Sequence, residues 1–145
     1  MYKRIVIATD GTSLSAKAVE HGCALAKSVG AEVVLVSATE PFHVFSVRPE
    51  QVEDTSMEFR QHMKQRAERA LASAAAIADV KGVRFTELHV EHEAPYRAII
   101  QAAEERDSDL IVMASRGRGG VAALLLGSET MKVLTHSKIP VLVIH

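Results

Sequence analysis

Short apolar runs alternate along the chain with longer stretches in which apolar residues recur at helical spacing. The runs at residues 4–9, 32–38, 83–90, 110–114 and 140–144 predict five β-strands. Four of them are almost continuous in Ile, Val, Leu and Ala, which is typical of strands buried on both faces of a parallel sheet. The run at residues 83–90 alternates apolar and polar residues, and we expect it nearer an edge of the sheet.

The stretches between the strands predict helices over residues 13–29, 56–78, 95–106 and 128–136. Ser13 is the expected cap of the first helix, and Gly30 is its expected stop. Every connection between strands is long enough for a crossover helix. The sequence therefore predicts an α/β fold, an open five-stranded parallel sheet with helices on both faces, Rossmann-like in its layers. At 145 residues, we expect a single domain over residues 1–145.

Residues 40–54 form the one segment without clear periodicity, and they include Pro41, Pro49 and several apolar side chains. We interpret the segment as a loop packed by its own side chains. The alternative is a mobile lid or a surface for a partner.

Composition excludes several classes of protein. The 17 Lys and Arg residues balance 18 Asp and Glu residues, so the chain lacks the basic excess of a general nucleic-acid binder. No apolar run approaches the roughly 20 residues that cross a bilayer, so we expect no membrane insertion. Cys23 is the only cysteine, which excludes an internal disulfide. Together with the lack of a signal peptide, this favours a cytoplasmic protein.

Candidate chemistry lies at the ends of the first and fourth strands. Four of the eight glycines fall between Gly117 and Gly127, where they allow a ligand to approach the main chain. Ser128 opens a helix whose free amides favour a phosphate, although a glycine-rich surface turn is the alternative. Asp10 ends the first strand and either faces a ribose or phosphate-bound metal, or caps the turn that follows.

Two common nucleotide motifs do not fit this pattern. A P-loop requires a lysine directly after its last glycine, but here Ser128 follows Gly127. Residues 117–122 match the dinucleotide string G-x-G-x-x-A, but the string follows the fourth predicted strand rather than the first, and we interpret the match as accidental.

Other polar clusters favour structural roles. His89, Glu91, His92 and Glu93 are interpreted as a solvated strand end rather than a metal site. Arg60, Lys64, Arg66 and Arg69, mixed with Glu58 and Glu68, are interpreted as the solvated face of a helix. Cys23 is expected to be a small packing residue. No nucleophile and base are paired, so we predict no dedicated enzyme.

The chain resembles the universal stress protein family in three strings and in its closing apolar strand. These strings are residues 9–13 (TDGTS), residues 115–117 (SRG) and residues 126–128 (LGS). The nucleotide-binding branch of that family carries G-x2-G-x9-G-[S/T], and here Ala114 stands at the first glycine. One extra methyl in a tight site costs about 1–3 kcal/mol, so we expect binding to survive in a weakened form.

The resemblance implies a fold of the adenine nucleotide alpha hydrolase type, with ATP, ADP or AMP bound, together with Mg²⁺ that Asp10 faces through the phosphates. The implied binding residues are Ala8, Asp10, Ala38, Ala114, Arg116, Gly117, Gly127, Ser128 and Glu129. Ala8 and the backbone of Ala38 would meet the adenine, and the amide of Glu129 would meet a phosphate. Arg118 either pairs with phosphate or is a solvated loop charge.

The implied function is a stress-response sensor or regulator. It would act as a homodimer through the last strand, Pro140 to His145, with an unknown regulatory protein partner. The alternatives are a nucleotide-free dimeric interaction protein and a slow ATPase.

Overall fold

Strands and helices alternate through the chain. The computed structural model describes residues 1–42, 49–118 and 126–145. Its strands are β1 (Arg4–Ala8), β2 (Glu32–Thr39), β3 (Phe85–Glu91), β4 (Leu110–Ala114) and β5 (Val141–Ile144). Its helices are α1 (Ser13–Val29), α2 (Pro49–Lys81), α3 (Pro95–Glu105) and α4 (Ser128–His136). The predicted order of elements is confirmed.

The five strands form one parallel sheet in the order β3-β2-β1-β4-β5. The predicted fold class is therefore confirmed, and β3 lies at an edge as expected. The order reverses between β1 and β4, where residues 5–7 pair with residues 110–112. In an open parallel sheet such a reversal leaves a crevice at the carboxyl ends of the two strands.

Two apolar cores, one on each face, hold the sheet between its helices. Since successive strand residues point to opposite faces, Ile5 and Ile7 pack with α1 and α2, whereas Val6 packs with α3 and α4. All three side chains are fully buried. This burial on both faces explains why β1 is continuously apolar.

The start of α2 corrects the prediction for residues 40–54. The helix begins at Pro49 and ends at Lys81, so the last six residues of the expected loop are helical. Pro and acidic residues suit the first turns of a helix, but they leave no apolar periodicity to detect. Residues 43–48, with Val44, Phe45 and Val47, lie outside the described part. Phe42 packs on Phe59 of α2, with ring centroids 5.4 Å apart.

The cap of α1 is Thr12 rather than Ser13. The Thr12 hydroxyl oxygen accepts a hydrogen bond from the Ser15 amide at 3.2 Å. The predicted stop at Gly30 is confirmed, because its φ of 73° is in the left-handed region that favours glycine. Within the described ranges, no helix has both the length and the apolarity to cross a membrane.

Candidate functional site

An open cleft of about 540 Å³ lies at the carboxyl ends of β1, β2 and β4. Its volume is typical of sites for small molecules. All nine binding residues that the family resemblance implied line it, and they are Ala8, Asp10, Ala38, Ala114, Arg116, Gly117, Gly127, Ser128 and Glu129. They meet because β1 and β4 are neighbours at the reversal of the strand order.

Part of the cleft wall is apolar. Ala8, Ala38 and Ile99 of α3 contribute to it, and α2 adds Phe59 and Met63. Neither Phe59 nor Met63 was predicted in the site from the sequence. Their spacing of four residues places them on one face of α2, which was the available signal. An apolar wall of this kind suits a flat, uncharged ring.

The Asp10 carboxylate holds the turn after β1 and also faces the cleft. Its Oδ1 accepts hydrogen bonds from the Thr12 amide at 3.0 Å and from the Thr12 hydroxyl at 2.6 Å. Its Oδ2 accepts one from the Arg118 amide at 2.7 Å. Burial raises the pKa of Asp10, but these hydrogen bonds outweigh burial and hold the pKa below its ordinary value. Asp10 is therefore a charged group with its orientation fixed.

Gly117 allows β4 to lead into its loop directly beside Asp10. A Cβ at Gly117 would lie 2.8 Å from Asp10 Oδ2, which is closer than real Cβ contacts come. The next residue, Arg118, turns back, and its guanidinium donates a hydrogen bond to the Asp10 carbonyl at 3.1 Å. Arg118 is exposed, but this contact gives it a defined position that the sequence did not predict.

Gly127 closes the far end of the same loop. Its amide donates to the Ser115 carbonyl at 2.6 Å, and a Cβ at Gly127 would lie 3.1 Å from Arg116 Cα. Its own N–H is therefore engaged by the protein. Gly127 has no side chain, and this allows its main chain to pass close to the main chain of Ser115 and Arg116.

The first turn of α4 presents amides to the cleft. Gly127 is the N-cap and provides no side-chain cap, and Ser128, Glu129 and Thr130 all line the cleft. The N–H groups of a first turn have no acceptor inside the helix, and the positive end of the helix dipole lies there. Such a turn is a suitable place for an anion.

The side chain of Glu129 avoids this anion site. Its Oε2 accepts a hydrogen bond from the Tyr96 amide in the first turn of α3 at 2.9 Å, and its Oε1 lies 3.6 Å from Lys132 Nζ. The carboxylate is thus neutralised by a second helix N-terminus and a lysine. Only the Glu129 main chain is left for the cleft, and its amide is the group that the family resemblance implied.

Ala114 forms part of the cleft wall. It is 8% exposed, and its carbonyl accepts a hydrogen bond from the buried Thr130 hydroxyl at 2.9 Å. Arg116, two residues later, is half-buried and lines the same wall.

The histidines near the end of β3 make hydrogen bonds within the protein. His89 Nε2 lies 2.7 Å from the Thr39 hydroxyl, and His92 Nδ1 accepts from the Ala94 amide at 2.8 Å. No group of three or more His, Cys, Asp or Glu side chains in the described ranges is arranged to hold a metal ion. Cys23 is fully buried, as predicted for a packing residue, and burial raises the pKa of its thiol to about 11.

Comparisons with known proteins agree with this architecture. The model of the universal stress protein family matches residues 1–145. A universal stress protein encoded beside a sulfhydrylase gene in Thermus aquaticus is 34% identical, with 99% of each chain covered. The universal stress protein MJ0531 of Methanocaldococcus jannaschii is 32% identical over 99% of this chain and 82% of its own length. A crystal structure of a universal stress protein in complex with cAMP has a TM-score of 0.74 at 27% identity, covering 99% of this chain and 97% of that one.

Proposed function

The chain belongs to the universal stress protein family, and on this premise we propose that it binds an adenine nucleotide and acts as a stress-response sensor or regulator. One observation carries the proposal. The uncapped first turn of α4, the apolar part of the wall and the fixed carboxylate of Asp10 all line the same cavity. The relative that was crystallised with cAMP supports an adenine nucleotide as the ligand.

The proposed placement follows the chemistry of the cleft walls. The adenine lies against the apolar part of the cleft wall, beside Ala8 and the main chain of Ala38. The ribose lies between Asp10 and Ala114. The phosphates lie at the first turn of α4, with Gly117 and Arg116 beside them. The ligand is ATP, ADP or AMP, and the chain belongs to the nucleotide-binding branch despite Ala114.

The described residues do not fit a magnesium site built by the protein. Both oxygens of Asp10 already accept hydrogen bonds from Thr12 and Arg118, and the Glu129 carboxylate is bound to Tyr96 and Lys132. We therefore expect Mg²⁺ to enter only as the counterion of the phosphates, with Asp10 facing it indirectly.

A pair of variants at Ser128 tests the phosphate position. Proline is tolerated in the first helical position and removes the N–H, and Gly127 before it has φ −74° and ψ 165°, a conformation that proline accepts in its neighbour. Ser128→Ala is the matched control, because it loses the hydroxyl but keeps the N–H. Losing one amide that binds a charged phosphate should weaken ATP binding about tenfold in Ser128→Pro relative to Ser128→Ala.

Titration calorimetry with AMP, ADP and ATP, with and without Mg²⁺, measures these affinities. If wild type binds none of them, the proposed function is wrong. If wild type binds ATP and both variants bind it equally well, the phosphates do not lie at α4.

A second candidate function, a nucleotide-free interaction protein, is favoured by the contact between Arg118 and Asp10. This contact uses part of the hydrogen-bonding capacity of the carboxylate within the protein itself, so less of that capacity is left for a ligand. The calorimetry decides between the two, since the nucleotide-free protein gives no heat with any adenine nucleotide.

We also propose a homodimer through Pro140 to His145, with a regulatory protein as a further partner. Ile111 and Ser115 donate to the carbonyls of Pro140 and Ile144, so the main-chain groups of Val141 and Val143 point to the free edge of β5. Pairing of two such edges would satisfy them. Val143→Pro removes an outward N–H and should give a monomer by sedimentation, whereas a wild-type monomer at all concentrations would refute the dimer.

A further inference from the structure

A second cavity, of about 500 Å³, lies beside the cleft, between α2 and the turn after β1. We call it the basic pocket, and it is lined by Ala70 together with Gly11, His62, Arg66, Arg69, Ser73 and Arg118. Arg66 and Arg118 line both cavities, so the basic pocket adjoins the cleft.

Two elements bring the cationic side chains together. His62, Arg66 and Arg69 follow one another along a single face of α2, because residues three and four apart in a helix are neighbours. Arg118 comes from the loop after β4 and is held by its hydrogen bond to the Asp10 carbonyl. Gly11 lines the pocket without a side chain, and its φ of +84° lies in the left-handed region that favours glycine.

The arginines of the basic pocket lack the ion pairs that other charges on the same helix make. Lys64 pairs with Glu68 at 4.0 Å, and Arg60 pairs with Glu91 at 3.6 Å. Among the described residues, no carboxylate lies within 4.0 Å of the Arg66, Arg69 or Arg118 guanidinium. The nearby carboxylate of Asp10 is bonded to the Arg118 amide rather than to its guanidinium. The pocket therefore has a positive potential that its own walls do not neutralise.

We propose that the basic pocket binds phosphate groups. Arginine presents a planar set of donors that matches phosphate oxygens, and three such groups around one cavity match an anion with more than one charge. The phosphates come from one of two sources. They are either the outer phosphates of the nucleotide in the cleft, which rests on the proposed function, or those of a second small phosphorylated solute, which does not.

Arg69→Gln is the discriminating variant, because Arg69 lines the basic pocket and does not line the cleft. Arg60→Gln is the matched control on the same helix, with the same substitution at an ion-paired arginine outside both cavities. Thermal unfolding should show both variants folded, since both side chains are exposed. Titration calorimetry of wild type and both variants with AMP, ATP and tripolyphosphate then measures binding.

Two outcomes support the proposal and identify the source. If the outer phosphates of the nucleotide occupy the pocket, Arg69→Gln weakens ATP about tenfold and leaves AMP within twofold of wild type. If a separate solute occupies it, tripolyphosphate binds wild type in the presence of saturating AMP and binds Arg69→Gln about tenfold more weakly.

The proposal is overturned if Arg69→Gln binds ATP and tripolyphosphate as wild type does, if Arg60→Gln loses as much affinity as Arg69→Gln, or if wild type binds neither ligand. Failure of the proposed function looks different. In that case AMP and ATP do not bind in the cleft, while the tripolyphosphate titration still reports on the basic pocket.

Discussion

Replacing Gly117 by Ala should displace the Asp10 carboxylate. The new Cβ would lie 2.8 Å from Asp10 Oδ2, and Oδ2 cannot simply move aside because Thr12 holds the other oxygen through two hydrogen bonds. Asp10 Oδ2 must therefore move against the restraint that Thr12 imposes on the carboxylate. We expect the variant to lose the hydrogen bond between the Arg118 amide and Asp10.

The cost follows from the contacts that are lost. A buried hydrogen bond to a charged group contributes about 1.5–3 kcal/mol, and we take a smaller contribution of about 1–2 kcal/mol because Arg118 is exposed. Against it, alanine reduces the freedom of the unfolded chain and stabilises by about 0.4–1 kcal/mol. The net loss in the single variant is thus small, and a double-mutant cycle with Asp10→Ala is needed to isolate the interaction.

In the Asp10→Ala background the obstructing carboxylate is gone, so Gly117→Ala should be neutral or slightly stabilising. The stabilisation that alanine gives by restricting the unfolded chain is the same in both backgrounds, so it cancels in the cycle. Urea unfolding at pH 7, followed by circular dichroism, should give a coupling free energy of about 1–2 kcal/mol. If Gly117→Ala changes the free energy of unfolding equally in both backgrounds, the new Cβ does not displace the Asp10 carboxylate, and this explanation fails.

Three further predictions concern single residues. Ala114→Gly should bind ATP several-fold more tightly by calorimetry, because the methyl is removed from the cleft wall, and unchanged affinity would show that Ala114 does not narrow the ribose space. Asp10→Asn should destabilise the protein by about 1 kcal/mol at pH 7. Since the folded pKa of Asp10 lies below 3.8, its contribution is present above about pH 4 and should disappear in urea unfolding curves as the pH falls through the folded value. Cys23 should react with a disulfide reagent at pH 8 only after urea unfolds the protein, because the thiol is buried and its pKa is about 11.

The order of elements could be predicted because each strand of this sheet carries a strong local signal. A strand buried on both faces must be continuously apolar, so β1 and β4 are visible in the sequence without any knowledge of their partners. The start of α2 could not be predicted in this way. Its first turns contain Pro49 and acidic residues, and a helical turn without an apolar stripe has no periodicity to detect.

Asp10 and the glycine-rich stretch after β4 could be predicted because parallel strands end at the same edge of the sheet, whereas Ala8, Ala38 and Glu129 were implied only by the family resemblance. Asp10 and Gly117 come after strands that proved to be neighbours, so both reached one cleft. Their contact could not be predicted, since it depends on the path of a loop over distances below 3 Å. The charges on α2 show the same limit. Arg66 and Arg69 were interpreted as solvated, but only the fold reveals that their side of the helix meets the turn after β1.

Arg118 lies at the boundary between the cleft and the basic pocket and is bonded to Asp10, and this position determines what each variant can report. Arg118 lines both cavities and is fixed on Asp10, so a change at Asp10 alters both at once. Arg69 touches one cavity, and Ser128 touches the other. A ligand whose phosphates extend from α4 into the basic pocket must pass Arg118, and its affinity should then respond to Ser128→Pro and to Arg69→Gln. Two separate ligands would each respond to only one of these changes, so the two variants together establish whether the cavities serve one molecule or two.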